Sequence, residues 1–151
     1  MTINLSQLLC YKLFSIVKLN EQWMDKHMEL LDLSRTQWKI IARFNFLPEP
    51  CTQQQLLASI GIDRAHLTRA LMQLEKKGLI KKEKLPSDNR AYTIILTSQG
   101  KAILAKIEEI LKLESEILLR GLTEAEQSQL KEHVSKMESN ISSSLSAIHS
   151  K

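Results

Sequence analysis

Residues 61–97, GIDRAHLTRALMQLEKKGLIKKEKLPSDNRAYTIILT, decide the fold of this chain. Asp63 is a typical N-cap residue before a helical pattern, and Gly78 follows the last residue of that pattern as a typical helix end. Two runs with strand character come next, residues 79–85 and 92–97, separated by the polar segment PSDNR. The stretch predicts one helix followed by a two-stranded hairpin with a polar tip.

A second helix is predicted immediately before this stretch. Thr52 and Gln55 have the spacing of a capping box, in which each side chain binds the backbone N–H group of the other residue. The short helix that they begin covers residues 53–59, and a turn containing Gly61 follows it. A short helix, a glycine turn and a longer helix form a helix-turn-helix, so the hairpin would be the wing of a winged helix-turn-helix.

The longer helix has one apolar face and one polar, cationic face. At ~100° per residue, the apolar face carries four residues that must pack inward, Leu67, Ala70, Leu71 and Leu74. The opposite face carries Ala65, Arg69, Met72 and Lys76, with Thr68 on one flank and His66 and Gln73 on the other. The second helix of a helix-turn-helix is the one that enters the major groove of DNA.

The excess positive charge of the chain lies in the same stretch. Residues 61–97 hold eight basic and four acidic residues, whereas the basic and acidic residues elsewhere cancel, so the stretch accounts for the whole net charge of +4. Concentrated positive charge on one unit favours a polyanionic partner such as nucleic acid. A solvated, lysine-rich hairpin is the alternative explanation.

Long helices are predicted on both sides of this unit. Ser34 and Gln37 form a capping box that begins a helix over residues 36–47, ahead of Pro48. Apolar residues recur at helical spacing from residue 5 to 31 and again after residue 98. The last helix has an apolar seam made by Leu130, Val134, Met137, Ile141, Leu145 and Ile148. Because one small domain cannot cover such long stripes, the first helix would pack on the C-terminal helices or on a second subunit, and the length of the last seam favours a partner subunit.

Several polar residues of the helix-turn-helix are candidate DNA contacts. Arg69 can make a bidentate contact to the edge of guanine or hold a phosphate. Thr52 and Gln53 would offer backbone N–H groups at a helix start to a phosphate, although an ordinary N-cap is the alternative role of Thr52. The remaining candidates, which can hydrogen-bond bases or backbone or lie beside them, are Arg64, Ala65, His66, Thr68, Gln73 and Lys82.

The polar tip of the hairpin is a further candidate site. Arg90 is suited to a narrow, electronegative minor groove. Asp88 would orient the Arg90 guanidinium through a paired contact, and an Asx turn that closes the hairpin is the alternative.

From residue 33 to 104 the chain resembles the MarR family of regulators, and its SlyA-like branch in particular. The resemblance is carried by the motifs SRTQW (34–38), ASIGI (58–62), LTRAL (67–71), QLEKKGLI (73–80) and SDNRA (87–91). It extends more weakly into both helical ends.

The resemblance implies a mainly α-helical fold with a small β-hairpin, in which residues 33–97 form a winged helix-turn-helix. Residues 1–32 and 98–151 would be dimerisation helices of a single MarR-type domain. It also implies that a homodimer binds a pseudo-palindromic operator in double-stranded DNA, with Arg69 in the major groove and Arg90 in the minor groove. SlyA-like tips usually carry two adjacent arginines, and Asn89 stands in the first of those places.

Two kinds of regulation known in the family are further expectations. Many members release DNA when a small anionic aromatic compound binds, and Lys18 and Trp38 would be its counter-charge and wall. A core role is the stronger alternative for Trp38. Other members sense peroxide through a cysteine in the first helix, and Cys10 resembles that cysteine in its sequence context. The tyrosines that support such a thiol are missing, since Met24 and Arg35 stand near their places.

Composition and motifs disfavour other classes of protein. The sequence shows no paired carboxylates, nucleophile motif or metal-spaced cluster, so we expect no enzyme, cofactor or metal site. No apolar run reaches the ~18 residues of a membrane span, and the amino terminus is unlike a signal peptide, which makes the cytoplasm the expected location. An architectural DNA-binding protein with little sequence preference is the main competing hypothesis.

Overall fold

The structure, a computed structural model, describes residues 4–85 and 88–149, without the side chains of residues 5–7, 85, 88–91 and 149. It contains six helices and three strands in its described part, in the order α1 (Leu5–Glu29), α2 (Arg35–Arg43), β1 (Cys51–Thr52), α3 (Gln53–Ile60), α4 (Arg64–Lys76), β2 (Ile80–Leu85), β3 (Asp88–Leu96), α5 (Ser98–Leu118) and α6 (Glu124–His149). The chain forms two compact units, Met1–Lys112 and Leu113–Lys151.

One hydrophobic core holds the first unit together. The four residues predicted to face inward from α4 are buried, as expected from their spacing. They share the core with apolar side chains from each of the other elements of this unit, which include Met28, Ile40, Leu56, Ile94 and Ile107. Their burial fixes the rotation of α4 about its own axis, because turning the helix would expose these side chains to water.

The predicted helix starts are confirmed by their hydrogen bonds. Ser34 with Gln37 and Thr52 with Gln55 both form complete capping boxes. Asp63 accepts a hydrogen bond of 2.8 Å from the backbone N–H group of His66. These side chains satisfy donors that the first turn of a helix leaves unpaired, which explains why the helices begin at these residues.

The sheet has one strand more than the predicted hairpin. β1 pairs antiparallel with β3, with Cys51 opposite Ile94, and the strand order is β1-β3-β2. The β2–β3 ladder is also longer than predicted, because β3 begins at Asp88 rather than at residue 92. Most of the predicted tip, residues 88–90, therefore belongs to a strand.

The end of α2 is a second correction. The helix was expected to run to residue 47, but it stops at Arg43, and a turn follows in which the N–H group of Leu47 binds the carbonyl group of Arg43. The prolines beyond the turn had suggested a later boundary. Apolar character alone does not distinguish a last helical turn from the connection after it.

A close approach of backbone segments joins α4, the wing and α5. Two residues beyond the end of α4, Gly78 has a φ of 71°. Its N–H group donates to the carbonyl oxygen of Glu75, and the N–H group of Leu79 donates to the carbonyl oxygen of Leu74. This pair of bonds is a Schellman motif, in which glycine takes the left-handed conformation. Thr97 then donates from its hydroxyl group to the carbonyl oxygen of Gly78 at 2.6 Å. The wing is thereby held at a fixed angle to α4.

The second unit contains the end of α5 and helix α6. Thr123 and Glu126 form the expected capping contacts at the start of α6. The six seam residues of α6 are all at least 37% exposed. In the part of the chain that the structure describes, no helix is long and apolar enough to cross a membrane.

Candidate nucleic-acid interface

Helix α4 presents the polar face that its sequence predicts. Ala65, Arg69, Met72 and Lys76, which we call the α4 ridge, are all exposed. They lie opposite the buried leucines, so the core that holds α4 also directs the ridge outward. The ridge is cationic at two positions and apolar at the other two.

Helix α2 contacts one flank of α4 through two side-chain hydrogen bonds. Thr36 Oγ1 lies 3.1 Å from His66 Nε2. Gln37 Nε2 donates to Gln73 Oε1 at 2.8 Å, and Gln37 is only 4% exposed. Both side chains that were expected to contact DNA from this flank therefore already have a protein partner.

Helix α3 contacts the other flank of α4. Gln53 Nε2 donates to Thr68 Oγ1 at 2.8 Å, and the Thr68 hydroxyl group donates to the carbonyl oxygen of Arg64, also at 2.8 Å. The single hydroxyl proton of Thr68 is thus used within the helix. This contact ties the two helices of the helix-turn-helix together across their turn.

The side chains of Arg64 and Arg69 are exposed, and neither guanidinium group makes a hydrogen bond or an ion pair with another described residue. The N-cap carboxylate of Asp63 lies nearby. The pKa of Asp63 is lowered chiefly by the hydrogen bond from the His66 backbone N–H group, with a smaller contribution from the positive charge of Arg69. The two guanidinium groups are therefore available for an anionic partner.

The start of α3 offers fewer donors than the sequence suggested. The N–H group of Thr52 donates to Gln55 Oε1 at 2.8 Å inside the capping box, and the Thr52 hydroxyl group accepts from the N–H group of Gln55. The amide side chain of Gln53 is committed to Thr68. Any phosphate contact here would use the backbone N–H groups of Gln53 and Gln54, because that of Gln55 already donates to Thr52.

Two lysines of the wing are paired with acidic residues. Lys82 lies 3.4 Å from the Glu75 carboxylate on α4, and Lys81 lies 2.7 Å from Glu83 on its own strand. The backbone of Asp88, Asn89 and Arg90 begins β3, but their side chains lie outside the described ones, as do residues 86–87. The predicted pairing of the Asp88 and Arg90 side chains therefore lies outside the described part of the structure.

A polar network joins the α1–α2 connection to the end of α4. Lys77 forms an ion pair of 3.0 Å with Asp32 and also contacts Gln37 Oε1 at 3.3 Å. Asp32 has a positive φ of 55°, a conformation that aspartate tolerates better than most residues. Next to this network is a cleft of about 660 Å³ whose lining includes Lys76 and Lys77.

Helix α2 is also fastened to α1. Arg35 binds Asp25 through two nitrogen atoms and Glu21 through a third, at 2.8 Å. The Arg35 contact lowers the pKa of the Asp25 carboxyl group. Arg35 therefore joins α2 to α1 through these ion pairs, a role that the sequence did not predict.

The two candidate ligand residues are not joined by any described contact. Trp38 packs against the core, its Nε1 atom is buried without a hydrogen-bond partner among the described atoms, and Lys39 Nζ lies 5.9 Å from its ring. Lys18 is exposed on α1. Neither residue lines the cleft near Lys77 or the cleft of about 540 Å³ at the start of α6.

The two cysteines have opposite surroundings. Cys10 is exposed on α1, whereas Cys51 is completely buried in β1. Burial raises the pKa of the Cys51 thiol to about 11. Only Cys10 therefore has the access that redox chemistry needs.

Sequence reasoning missed Thr36 and Gln37 as partners of the presumed DNA-contacting residues. The sequence predicts the capping role of Gln37, which the structure confirms, but it predicts no contact for Thr36. Their partners are 30 and 36 residues away in sequence, so no local pattern could have revealed the contacts.

This geometry, a helix-turn-helix with an exposed cationic ridge and an attached antiparallel wing, defines a winged helix-turn-helix protein of the transcription-regulator class. Residues 33–92 match the model of the MarR family. This match covers the winged helix-turn-helix region and confirms the resemblance to the MarR family that the sequence shows.

Solved structures of regulators share this fold along most of their length. The transcriptional regulator SlyA is 24% identical with a TM-score of 0.75, over 90% of this chain and 95% of that chain. An uncharacterised SlyA-like regulator from Listeria monocytogenes is 24% identical with a TM-score of 0.75, over 95% and 92%. A mutant MarR from E. coli, complexed with operator DNA, is 23% identical with a TM-score of 0.73, over 85% and 92%.

Proposed function

We propose that this protein is a cytoplasmic, sequence-specific DNA-binding transcription regulator that acts as a homodimer on a pseudo-palindromic operator. In this proposal α4 enters the major groove and the β2–β3 wing contacts the neighbouring minor groove through Arg90. Asp88, Asn89 and Lys82 would support the wing contact, and the start of α3 would hold a phosphate.

The observation that carries the proposal is the exposed α4 ridge with its unpaired arginine. An α-helix fits the major groove, and Arg69 has the two parallel donors that match the acceptors of guanine. Arg64, whose guanidinium group also has no described partner, is the first residue of the same helix and suits a phosphate. Structures of relatives with operator DNA or an oligodeoxyribonucleotide support the same role for this fold.

Arg69→Ala tests the proposal. We expect operator binding to weaken by about 1–3 kcal/mol, because a good arginine contact to a base is lost. Arg120→Ala is the matched control, since Arg120 is an exposed arginine of the second unit. Binding would be measured by gel-shift titration on a site selected from random DNA. Equal affinities for the two variants would contradict the proposal.

The architectural alternative predicts a different competition result. A regulator that contacts bases should be displaced poorly by random-sequence DNA, whereas an architectural protein should be displaced equally well by random DNA and by the best selected site. The exposed ridge favours the regulator, because placing a helix in the groove serves to contact bases. Equal competition by random DNA and by the selected site would contradict the regulator and support the architectural function.

Release of DNA by a small anionic aromatic compound is the finer part of the proposal. Its support in the structure is the buried Nε1 atom of Trp38, which has no described acceptor and could donate to a ligand oxygen. Lys18 would supply the positive charge. Titrating benzoate-type acids while monitoring tryptophan fluorescence and DNA release tests this part. A compound that releases DNA from Trp38→Phe as well as from the wild type would exclude this site.

A further inference from the structure

The amide orientation of Gln37 is fixed by its surroundings. Its Oε1 atom accepts hydrogen bonds from the backbone N–H group of Ser34 at 3.1 Å and from Lys77 Nζ at 3.3 Å. Because both neighbours are donors, the other end of the amide must be the NH₂ group. That group points to Gln73 and donates to its Oε1 atom.

This orientation limits what Gln73 can do in the groove. A glutamine that recognises adenine uses its oxygen atom and its NH₂ group together. Gln37 already donates to the oxygen atom of Gln73, and turning the Gln73 amide toward a base would pull this oxygen away and leave a donor of the buried Gln37 without a partner. Gln73 is therefore more favourably used to hold α4 than to contact a base.

The Thr36 contact repeats the arrangement two turns earlier along α4. Consecutive residues of the first turn of α2, Thr36 and Gln37, hold His66 and Gln73, which are seven residues apart. Residues at that spacing lie on one edge of a helix. The first turn of α2 thus contacts one edge of α4 at two points, which lie two helical turns apart.

We propose that Thr36 and Gln37 are positioning residues for DNA recognition, which fix the orientation of α4 so that its ridge, and not its flanks, contacts the bases. This inference rests on the proposed function. Arg69 then contacts guanine, and the exposed, apolar Ala65 and Met72 face thymine methyl groups. His66 and Gln73 act through their contacts with α2.

The experiment compares four proteins: wild type, Gln37→Met, Gln73→Met and the double variant. Each is used to select sites from random DNA, and its affinity is measured for the wild-type site and for a scrambled site. The ratio of these two affinities is the discrimination ratio. Gln129→Met, at an exposed position of α6, is the control.

Both single variants remove the same bond, so we expect each to lower the discrimination ratio by about tenfold, within the range for one misplaced specific contact. The double variant should lose no more than Gln37→Met alone, which also removes the contacts of Gln37 with Ser34 and Lys77, because the bond to Gln73 is already absent there. The base preferred at each position should stay the same. A Gln73→Met variant that loses preference at one base pair, while Gln37→Met keeps the wild-type ratio, would overturn the proposal.

Thr36→Val provides a second arm that leaves the capping box of α2 untouched. We expect it to lower the discrimination ratio, and Thr36→Ser to restore it, because serine keeps the hydroxyl group that contacts His66. Thermal unfolding of each variant is measured in parallel. Variants whose unfolding temperature falls while their discrimination ratio stays at the wild-type value would show a purely structural role and overturn the proposal. If the wild type itself selects no site, the proposed function fails instead.

Discussion

Gly100 stands where the start of α5 passes over the junction between α4 and the wing. A Cβ atom added at this position would lie 2.0 Å from the carbonyl oxygen of Leu79 and 3.2 Å from a methyl group of Leu96. The nearer neighbour is backbone, so it cannot turn away as a side chain would. Glycine is therefore required by space at this residue, and not by its backbone angles.

Gly100→Ala is expected to destabilise the protein by about 1–3 kcal/mol, the usual cost of overpacking. The free energy of unfolding would be measured by denaturant titration. Ser98→Ala, at an exposed position in the same first turn, should change it by less than about 0.5 kcal/mol. A Gly100→Ala protein as stable as the Ser98→Ala control would contradict the close approach.

The two thiols should also differ in reactivity. Cys51 is fully buried with a pKa of about 11, so almost no thiolate forms near neutral pH. We expect the Cys10→Ser protein to bind no thiol reagent while folded at pH 8 and to bind one equivalent after denaturation. Labelling of the folded Cys10→Ser protein as fast as of the denatured protein would show that β1 opens readily.

At the scale of elements, the start of α4 is sensitive to acid. The pKa of Asp63 lies below its ordinary value of 3.8, because its carboxylate accepts the His66 backbone N–H group. A carboxyl group with a lowered pKa in the folded state stabilises the protein above the unfolded value, and this stabilisation is lost as the pH falls through the lower, folded-state value. The loss should therefore occur below about pH 4.

Asp63→Asn separates capping from titration, since asparagine caps helices about as well as aspartate. We expect this variant to match the wild type in thermal unfolding near pH 7 and to lose less stability than the wild type between about pH 4 and pH 2. Asp25 and Glu126 also have lowered pKa values and remain in both proteins, so some acid sensitivity should persist. Parallel pH profiles for the two proteins would argue against the Asp63 contact.

Helices and their starts could be predicted from the sequence because the responsible contacts are local. Thr52 and Gln55 are three residues apart, and their capping box is visible in the sequence and in the structure. Strand β1 was missed because two residues, Cys51 and Thr52, carry no pattern of their own, and their partners lie on β3. The contact of Thr36 with His66 could not be predicted either, because its two residues are also far apart in the sequence. The resemblance to the family, in contrast, came from motifs spread along residues 33–104, and the family model matches residues 33–92 of that range.

At the scale of the whole molecule, helices α1 and α6 each expose an apolar stripe. Phe14 and Val17 on α1 are 76% and 58% exposed, and Ile141 and Leu145 on α6 are 66% and 52% exposed. Extended apolar surface of this kind marks an interface with another protein. A second copy of the chain is the partner expected for a regulator that binds a two-fold symmetric site.

Replacing Ile141 and Leu145 together by Glu should convert a dimer into a monomer, because two charges would be buried in an apolar interface. The mass would be measured by light scattering. Ser143→Glu is the control, since Ser143 lies on the opposite side of α6 and should leave the mass unchanged. A wild-type protein that is already a monomer at micromolar concentration would contradict the dimer.

A dimer also fixes the spacing of its two DNA half-sites. Two recognition helices must lie about 34 Å apart, or a multiple of that distance, to enter successive major grooves on one face of DNA. Inserting five base pairs at the centre of a selected site turns one half-site by about half a helical turn, which places it on the far side of the duplex. We expect the affinity to fall to that of an isolated half-site in a gel-shift titration. An insertion of ten base pairs returns the half-site to the same face of the DNA but adds about 34 Å to the spacing, so a rigid dimer should not recover its affinity.

Two results would contradict a rigid dimer. Full recovery of affinity with ten inserted base pairs would show that the two winged units are joined flexibly. Undiminished binding with five inserted base pairs would show that each unit binds DNA independently.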